Sequence, residues 1–290
     1  MYTVVTHDGK FHSDEVCGVA VLRLHFGIEN IKVVRTRNPE IISTADIVLD
    51  VGGEYDPVRK RFDHHQIGAP VRENGIPYAA FGLVWKEYGE VVAGSQEIAN
   101  KVDLRLAQPI DAGDNGVSLY SLSEHGVAPI EFYTVLESFM PPMGSKENVD
   151  EAFFKAVEVA QAYLVRFIEN QVAKQALKVE AQRVYALAEE KSVLVFDTPM
   201  KRGIFSEYDD VLVIVVPDDT KGSKWMAQTV PTDDESFAPK VLFPKSWRGL
   251  RDAELQKVSG INDAVFCHKA GFIFVAESKD GAVQAAGEAG

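Results

Sequence analysis

The sequence predicts an α/β protein: a parallel-sheet N-terminal domain joined by a long helix to a smaller α+β C-terminal domain. Three observations predict it. Over roughly the first hundred residues, short β-rich runs alternate with helical stretches, the pattern of a parallel sheet covered by helices. Between Asn148 and Glu190 no Pro or Gly interrupts a helical periodicity, and strand-like runs resume at Val193. A chain of 290 residues also exceeds the usual single-domain size. The reading divides it into residues 1–190, which include the linker helix, and residues 191–290.

Taken in order, Tyr2 to Thr6 reads as a first strand. A helix follows from Ser13 to Phe26, with Ser13 as its N-cap and Val16, Val19, Ala20 and Leu24 at helical spacing. Lys32 to Arg37 is a second strand, stopped by Asn38-Pro39. Ile47 to Val51 is a third, stopped by Gly52-Gly53. After a turn at Asp56-Pro57, Arg59 to Phe62 leads into Asp63-His64-His65. Helices are expected at Ala79–Tyr88 and Ser95–Gln108. In the long helix Phe153, Phe154, Val157, Ala160, Leu164, Phe167, Ile168 and Val172 recur at three- and four-residue steps, and Asn148 with Glu151 resembles a capping box. Beyond it, Val193–Phe196, Val211–Val216 and Lys224–Val230 read as strands and Arg251–Val258 as a helix. Val265–Cys267 and Phe272–Val275 form a hairpin turning at Lys269-Ala270-Gly271.

Composition excludes several classes. A hydrophobic content of 46% with 25% charged residues is ordinary for a globular protein. The longest apolar run, Val211 to Val216, is far too short to span a bilayer, and the start of the chain has no signal-peptide pattern. Cys17 and Cys267 have no CxxC partner, which predicts a reduced, cytoplasmic protein. A net charge of −13 argues against general attraction to nucleic-acid phosphate. The acidity is uneven: residues 1–150 carry a net −9 and residues 151–290 a net −4. Carboxylates gathered around bound cations produce such a bias, and so does an ordinary acidic surface.

Five of the seven histidines lie in the first 65 residues. His7-Asp8 follows the first strand, Asp50 ends the third, and Asp63-His64-His65 ends the next. Three segments thus deliver imidazoles and carboxylates to one sheet edge, where ligands of open α/β sheets bind. Each has an ordinary reading alone: a loop histidine, Asp14 in the first turn of a helix, a turn at Asp50-Val-Gly-Gly. Together they predict a metal site of His7, His12, Asp14, Asp50 and His64, of a donor type suited to Mn²⁺, Fe²⁺, Zn²⁺ or Mg²⁺.

The runs Thr6-His-Asp-Gly-Lys-Phe-His-Ser-Asp-Glu15, Asp50-Val-Gly-Gly53, Asp63-His-His65 and Asp111-Ala-Gly-Asp-Asn-Gly116 resemble the melanocyte-proliferating-gene (Myg) family, a branch of the DHH phosphoesterases. Trp247-Arg-Gly-Leu-Arg251 and His268-Lys-Ala-Gly-Phe-Ile273 extend the resemblance over nearly the whole chain. It implies a DHH domain holding two divalent ions, Mn²⁺ or Mg²⁺, and a C-terminal substrate domain. It also implies 3′→5′ exonuclease activity on RNA, Asp50 as the bridging carboxylate, and Asp111 or Asp114 as the fourth-motif ligand. Two departures stand out. The first motif reads His7, His12, Asp14, with one imidazole in place of a carboxylate and a loop one residue longer. The Gly-Gly pair that usually follows Phe-Ile is replaced by Phe274-Val275-Ala276.

Two such ions activate a water and clamp the oxygens of an in-line displacement. His65 and Asp63 are the candidate catalytic pair, His65 contacting the phosphoryl oxygen or protonating the leaving group, or else supporting a ligand. Lys10, Arg35, Arg37, Arg248, Arg251 and His268 are candidates for substrate contact. Trp247 beside two arginines suits base stacking. The alternatives are a phosphodiesterase for short oligonucleotides or cyclic dinucleotides, and a catalytically inactive metal-stabilised binding protein. The sequence assigns no oligomeric state.

Overall fold

The computed structural model describes residues 1–218, 224–233 and 238–290. It is a mixed α/β structure with two five-stranded sheets, and it divides into two units, Met1–Val172 and Ala173–Gly290.

In the first unit the strands are β1 (Tyr2–Thr6), β2 (Ile31–Arg35), β3 (Ile47–Leu49), β4 (Tyr55–Asp56) and β5 (Arg61–Phe62), in the spatial order β2-β1-β3-β5-β4. All neighbours are parallel except β4 with β5, an antiparallel edge. The carboxyl ends of β1, β3 and β5 therefore lie side by side, as the sequence predicts. Helix α1 (Ser13–Phe26) is buried at every position from Ser13 to Leu22, so it runs through the core and not along its surface. Each buried Val or Leu there stabilises the fold by about 1.5–3 kcal/mol. Gly18 lets the helix approach β3, since a Cβ at that position would lie 2.7 Å from Leu49 Cδ1. The N-cap is His12, one residue before the expected Ser13.

Asn38-Pro39 does more than stop a strand. Asn38 Oδ1 accepts the amide of Glu40 at 2.9 Å, and Pro39 opens α2 (Pro39–Thr44), a helix the strand pattern concealed. Helix α3 (Ala80–Ala93) packs on α1. The helix expected over Ser95–Gln108 is α4 (Gln96–Val102) continued by a π-helical stretch at Asp103–Ala107, and a further helix, α5 (Gln108–Asp114), follows it. Pro109 explains the break, because it has no amide to continue the helical ladder. A short α6 (Phe132–Glu137) buries Leu136 against the same core.

Helix α7 (Val149–Leu187) matches the expected long helix, yet the units part inside it and not at its end. Phe153, Ala156, Val157, Ala160 and Leu164 belong to the first core, whereas Leu177, Ala181, Val184 and Tyr185 join the second. The two units meet at 172/173, where the helix changes partners.

The second unit contains β6 (Val193–Val195), β7 (Val213–Pro217), β8 (Trp225–Thr229), α8 (Asp252–Ser259), β9 (Ala264–Cys267), β10 (Ile273–Ala276) and α9 (Lys279–Ala286). Its sheet runs β6-β7-β8-β10-β9, with only β6 and β7 parallel. β9 and β10 form the expected hairpin.

Candidate metal centre

Each segment of the cluster is aimed by its own local structure. His7 follows β1, and its Nδ1 meets the carbonyl of Asp8 at 3.0 Å; a carbonyl only accepts, so Nδ1 carries the proton and Nε2 is turned inward. Asp50 follows β3 with φ of 54°, a left-handed backbone that aspartate tolerates better than most residues. Its amide donates to Phe62 O at 3.1 Å, which holds that turn against the end of β5. On α1, Asp14 accepts the amide of Ala80 at 3.1 Å, and both oxygens of Glu15 accept the amide of His12 at 3.0 Å.

These segments converge. His7 Nε2 lies 3.1 Å from Asp50 Oδ2 and 3.1 Å from Glu15 Oε1. His64 Nε2 lies 3.3 Å from Asp50 Oδ1, 3.2 Å from Asp114 Oδ2 and 3.8 Å from Asp14 Oδ2. Asp50 therefore stands between two imidazoles, one per oxygen. Three overlapping groups have the spacing of metal ligands: His7, His12, Glu15 and Asp50; Asp50, His64 and His65; His12, Asp14 and Asp114.

The charge balance is that of a cation site. Asp14 and Glu15 are fully buried and Asp50 nearly so. Burial and the neighbouring Asp50, Asp114 and Glu15 push the Asp14 carboxyl well above its usual range. Burial alone would lower His7 and raise Asp50. The carboxylates of Asp50 and Glu15 instead lift His7 to about 10, and His64 and His7 hold Asp50 at about 2. His64 likewise reaches about 10 against its own burial, because of Asp114 and Asp50. Four buried atoms, His7 Nε2, Asp14 Oδ1, Asp50 Oδ1 and His64 Nε2, make no hydrogen bond of good geometry despite this crowding. Atoms aimed at a shared point, and not at one another, behave this way. Buried polar atoms left so are rare unless something else satisfies them, and an imidazole–carboxylate donor set suits a divalent ion.

Several sequence expectations are redirected. Of the two aspartates left open, Asp114 joins the cluster. Asp111 is fully buried and pairs with Arg72 at 2.8 Å, and it belongs to none of the three groups among the described residues. Asp63, expected to be catalytic, has its carboxylate occupied. Oδ2 accepts Gly53 N at 2.5 Å; Oδ1 faces His64 N at 2.7 Å, His65 N at 3.2 Å and the His65 ring at 2.7 Å. It orients the two histidines. Glu15 is the site residue that the sequence reading passed over. Its capping-box spacing to His12 was the visible signal, and its full burial is the feature that distinguishes it from an ordinary cap.

His7, His12, Arg37, Asp50, Gly52, Gly53 and His65 line a cavity of about 300 Å³. The His65 side chain is 63% exposed, with Nδ1 tied to Asp63, so Nε2 is the nitrogen left for a ligand. Arg37 is exposed at 3.9 Å from Asp8, and Lys10 is exposed on the loop before α1. Arg35 is not available as a phosphate contact. Its side chain is buried, bonded to Asp150 at 2.6 Å and to Gly9 O at 2.8 Å, and lies over the Phe153 ring at 4.6 Å.

In the second unit Trp247 is only 5% exposed and packs with Phe243 and Phe274, so burial leaves no ring face on which a base could stack. Arg248 Nε donates to Phe243 O at 2.9 Å. Arg251 is exposed, its guanidinium 4.4 Å from the centre of the Phe266 ring. His268 Nδ1 accepts the amide of Ala270 at 3.1 Å, which places its proton on Nε2.

The model of the family described as "Uncharacterised protein family (UPF0160)", labelled MYG1 exonuclease, matches residues 3–289. Among curated proteins, the MYG1 exonuclease of Rattus norvegicus is 30% identical over 97% of this chain and 82% of its own length. A MYG1 protein of Saccharomyces cerevisiae is 30% identical over 96% of this chain and 92% of its own. Among solved structures, a pGpG-specific phosphodiesterase from Vibrio cholerae aligns with 95% of this chain and 92% of that one, with a TM-score of 0.35 and 14% identity.

Proposed function

This chain belongs to the Myg family, and from that premise we propose that it is a divalent-metal-dependent phosphodiesterase, a 3′→5′ exonuclease acting on RNA, with a DHH-type first unit. The observation that carries the reading is the set of four buried, unsatisfied nitrogen and oxygen atoms around Asp50. Mn²⁺ or Mg²⁺ suits the donors, and two ions suit their number. His7, Glu15 and Asp50 would hold one, and His64, Asp14, Asp114 and Asp50 the other, with His12 beside both.

When bound, two such ions supply an activated water and neutralise charge in an in-line attack at phosphorus. The chain's own residues do the rest. Asp50 fixes the spacing of the two ligand sets by offering one oxygen to each. Asp63 locks the His65 ring so that Nε2 can meet the phosphoryl or leaving oxygen. Arg37 and Lys10 hold the phosphate next to the scissile one. Arg248, Arg251 and His268 supply further strand contacts in the second unit. A cavity of about 300 Å³ is at the small end of ligand sites and suits a strand terminus better than the middle of a polymer. The free, buried thiols of Cys17 and Cys267 fit a reducing compartment, which we take to be the cytoplasm. No helix among the described residues is long and apolar enough to cross a membrane.

The test is to incubate purified protein with Mn²⁺, with Mg²⁺ or with chelator, on RNA labelled at either end and on DNA of the same sequence. The expected result is metal-dependent release of mononucleotide from the 3′ end, faster on RNA. Hydrolysis confined to dinucleotides or cyclic dinucleotides would select that narrower substrate class. No hydrolysis of any phosphodiester by metal-loaded protein would leave a metal-stabilised binding protein.

A further inference from the structure

Asp111 lies one helical turn before Asp114 on α5, and its carboxylate is clasped on two sides. Oδ1 accepts the amide of Gly82 at 3.0 Å, and Oδ2 meets Arg72 at 2.8 Å. Arg72 reaches on to Asp103 Oδ1 at 2.8 Å, with its guanidinium 3.8 Å from the centre of the Tyr78 ring. Asp103 opens the π-helical stretch that sets the rotational phase of α5, and its other oxygen accepts Gln108 Nε2 at 2.7 Å. The first turn of α3 thus grips two helices: Ala80 N holds Asp14 of α1, and Gly82 N holds Asp111 of α5. Glycine is required at position 82, since any Cβ would overlap Asp111 Oδ2 and crowd Arg72.

We infer that Arg72 is a positioning residue for the metal centre: by joining Asp103 to Asp111 it fixes the rotation of α5 that turns Asp114 towards His64. The side chain is almost wholly buried, and its Nη2 lies 2.8 Å from both Asp103 Oδ1 and Asp111 Oδ2, one cationic nitrogen between two carboxylates. A buried pair of this kind is a poor device for stability, because desolvation offsets most of the attraction. What it does supply is direction. The π-helical stretch Asp103–Ala107 runs directly into α5, so a contact made at Asp103 bears on the rotational phase of the helix that follows. Asp114, in the last turn of that helix, is 3.2 Å from His64 Nε2, and a small rotation would take it out of reach.

The inference rests on reading the cluster around Asp50 as a metal centre, and the experiment separates the two. Mn²⁺ affinity is measured by titration of metal-free protein for the wild type, for Arg72→Met combined with Asp111→Leu, for Arg72→Lys and for Asp103→Asn, with a thermal melt of each. The apolar double variant replaces the buried pair with groups of similar size but removes the acceptor of the Gly82 amide, so it is expected to fold with a lowered melting temperature. It is expected to bind Mn²⁺ about 10–100-fold more weakly, the usual effect of removing a residue that orients a ligand. Arg72→Lys is expected to recover part of that affinity, and Asp103→Asn to lose part of it. Wild-type affinity in a folded double variant overturns the inference. If that variant does not fold, wild-type affinity in both Arg72→Lys and Asp103→Asn overturns it. A wild-type protein that binds no Mn²⁺ overturns the metal-centre reading itself, and the positioning role with it.

Discussion

The ring of His65 lies 2.7 Å from Asp63 Oδ1, and the same oxygen also faces the backbone amides of His64 and His65. One carboxylate thus sets two adjacent histidines in different roles. His64 is buried against Asp50 and Asp114, while His65 stays largely exposed at the mouth of the cavity.

That division makes the first expectation specific. His65→Ala should keep Mn²⁺ content close to wild type while turnover falls on the order of 10²–10⁴-fold, the range for a lost acid–base group. His64→Ala should lose metal. Elemental analysis of both variants checks this, and equal metal loss in the two would show that His65 is a ligand.

Asp50 is the residue whose neutralisation should do most harm. Its oxygens face His7 at 3.1 Å and His64 at 3.3 Å, so Asp50→Asn weakens both ligand sets together. The expected outcome is loss of turnover below any other single conservative change in the cluster, with reduced metal stoichiometry. Retention of both ions and of measurable turnover by Asp50→Asn would contradict the bridging role.

The pH dependence of the metal-free protein follows from the same contacts. His7 and His64 are raised from 6.5 to about 10, so their stabilisation is complete below pH 6.5 and is lost as pH rises towards 10. Asp14, raised above 3.8, acts in the same direction, because the folded state keeps a proton that the unfolded chain has released. Asp50, lowered to about 2, contributes stability above pH 3.8 that disappears as pH falls towards 2. Metal-free protein should therefore be most stable in mildly acid solution and melt progressively earlier above pH 6.5. Mn²⁺ must displace the imidazole protons, so its affinity should rise over the same range and shift the optimum upward. Melting curves from pH 4 to 9, with and without Mn²⁺, decide it. A metal-free melting temperature that rises from pH 7 to 9 would be the contrary result.

Trp247 and Arg251 should separate cleanly. Trp247→Ala empties a core position and should destabilise the protein by about 3–5 kcal/mol, lowering activity on every substrate through loss of folded protein. Arg251→Ala leaves the core intact, and should weaken binding of long RNA more than hydrolysis of a small activated phosphodiester, with the difference shrinking at high salt. Denaturant unfolding and two-substrate kinetics at two salt concentrations measure both. A Trp247→Ala protein of normal stability with a loss confined to RNA would contradict its burial.

Much of the fold was legible because its signals are local. The alternating runs of residues 1–65, the uninterrupted helix from Val149 and the hairpin around Lys269 each follow from periodicity and turn residues within a short window. What escaped was what depends on context. α2 hid behind an Asn-Pro pair that reads equally as a strand stop, and α5 was not foreseen because Pro109 reads as the end of the Ser95–Gln108 helix, although a proline is tolerated in the first turn of the next one.

For the site the line is sharper. The sequence by itself determined which chemistry is concentrated where: His7, Asp50 and His64 fall at strand ends, and parallel strands place those ends on one edge. It could not choose between Asp111 and Asp114, reveal Glu15 as a partner of His7, or separate Arg35 from Arg37. Those distinctions depend on which direction a side chain takes from a helix or strand, and on what a residue distant in sequence places there. Asp111 turns to Arg72 and Gly82, whereas Asp114, one turn later, turns to His64. Arg35 is folded under Asp150 of α7, and Arg37, two residues on, stays in solvent. Burial and long-range pairing are properties of the packed chain, so only the tertiary structure decided which of several suitable residues meet at Asp50.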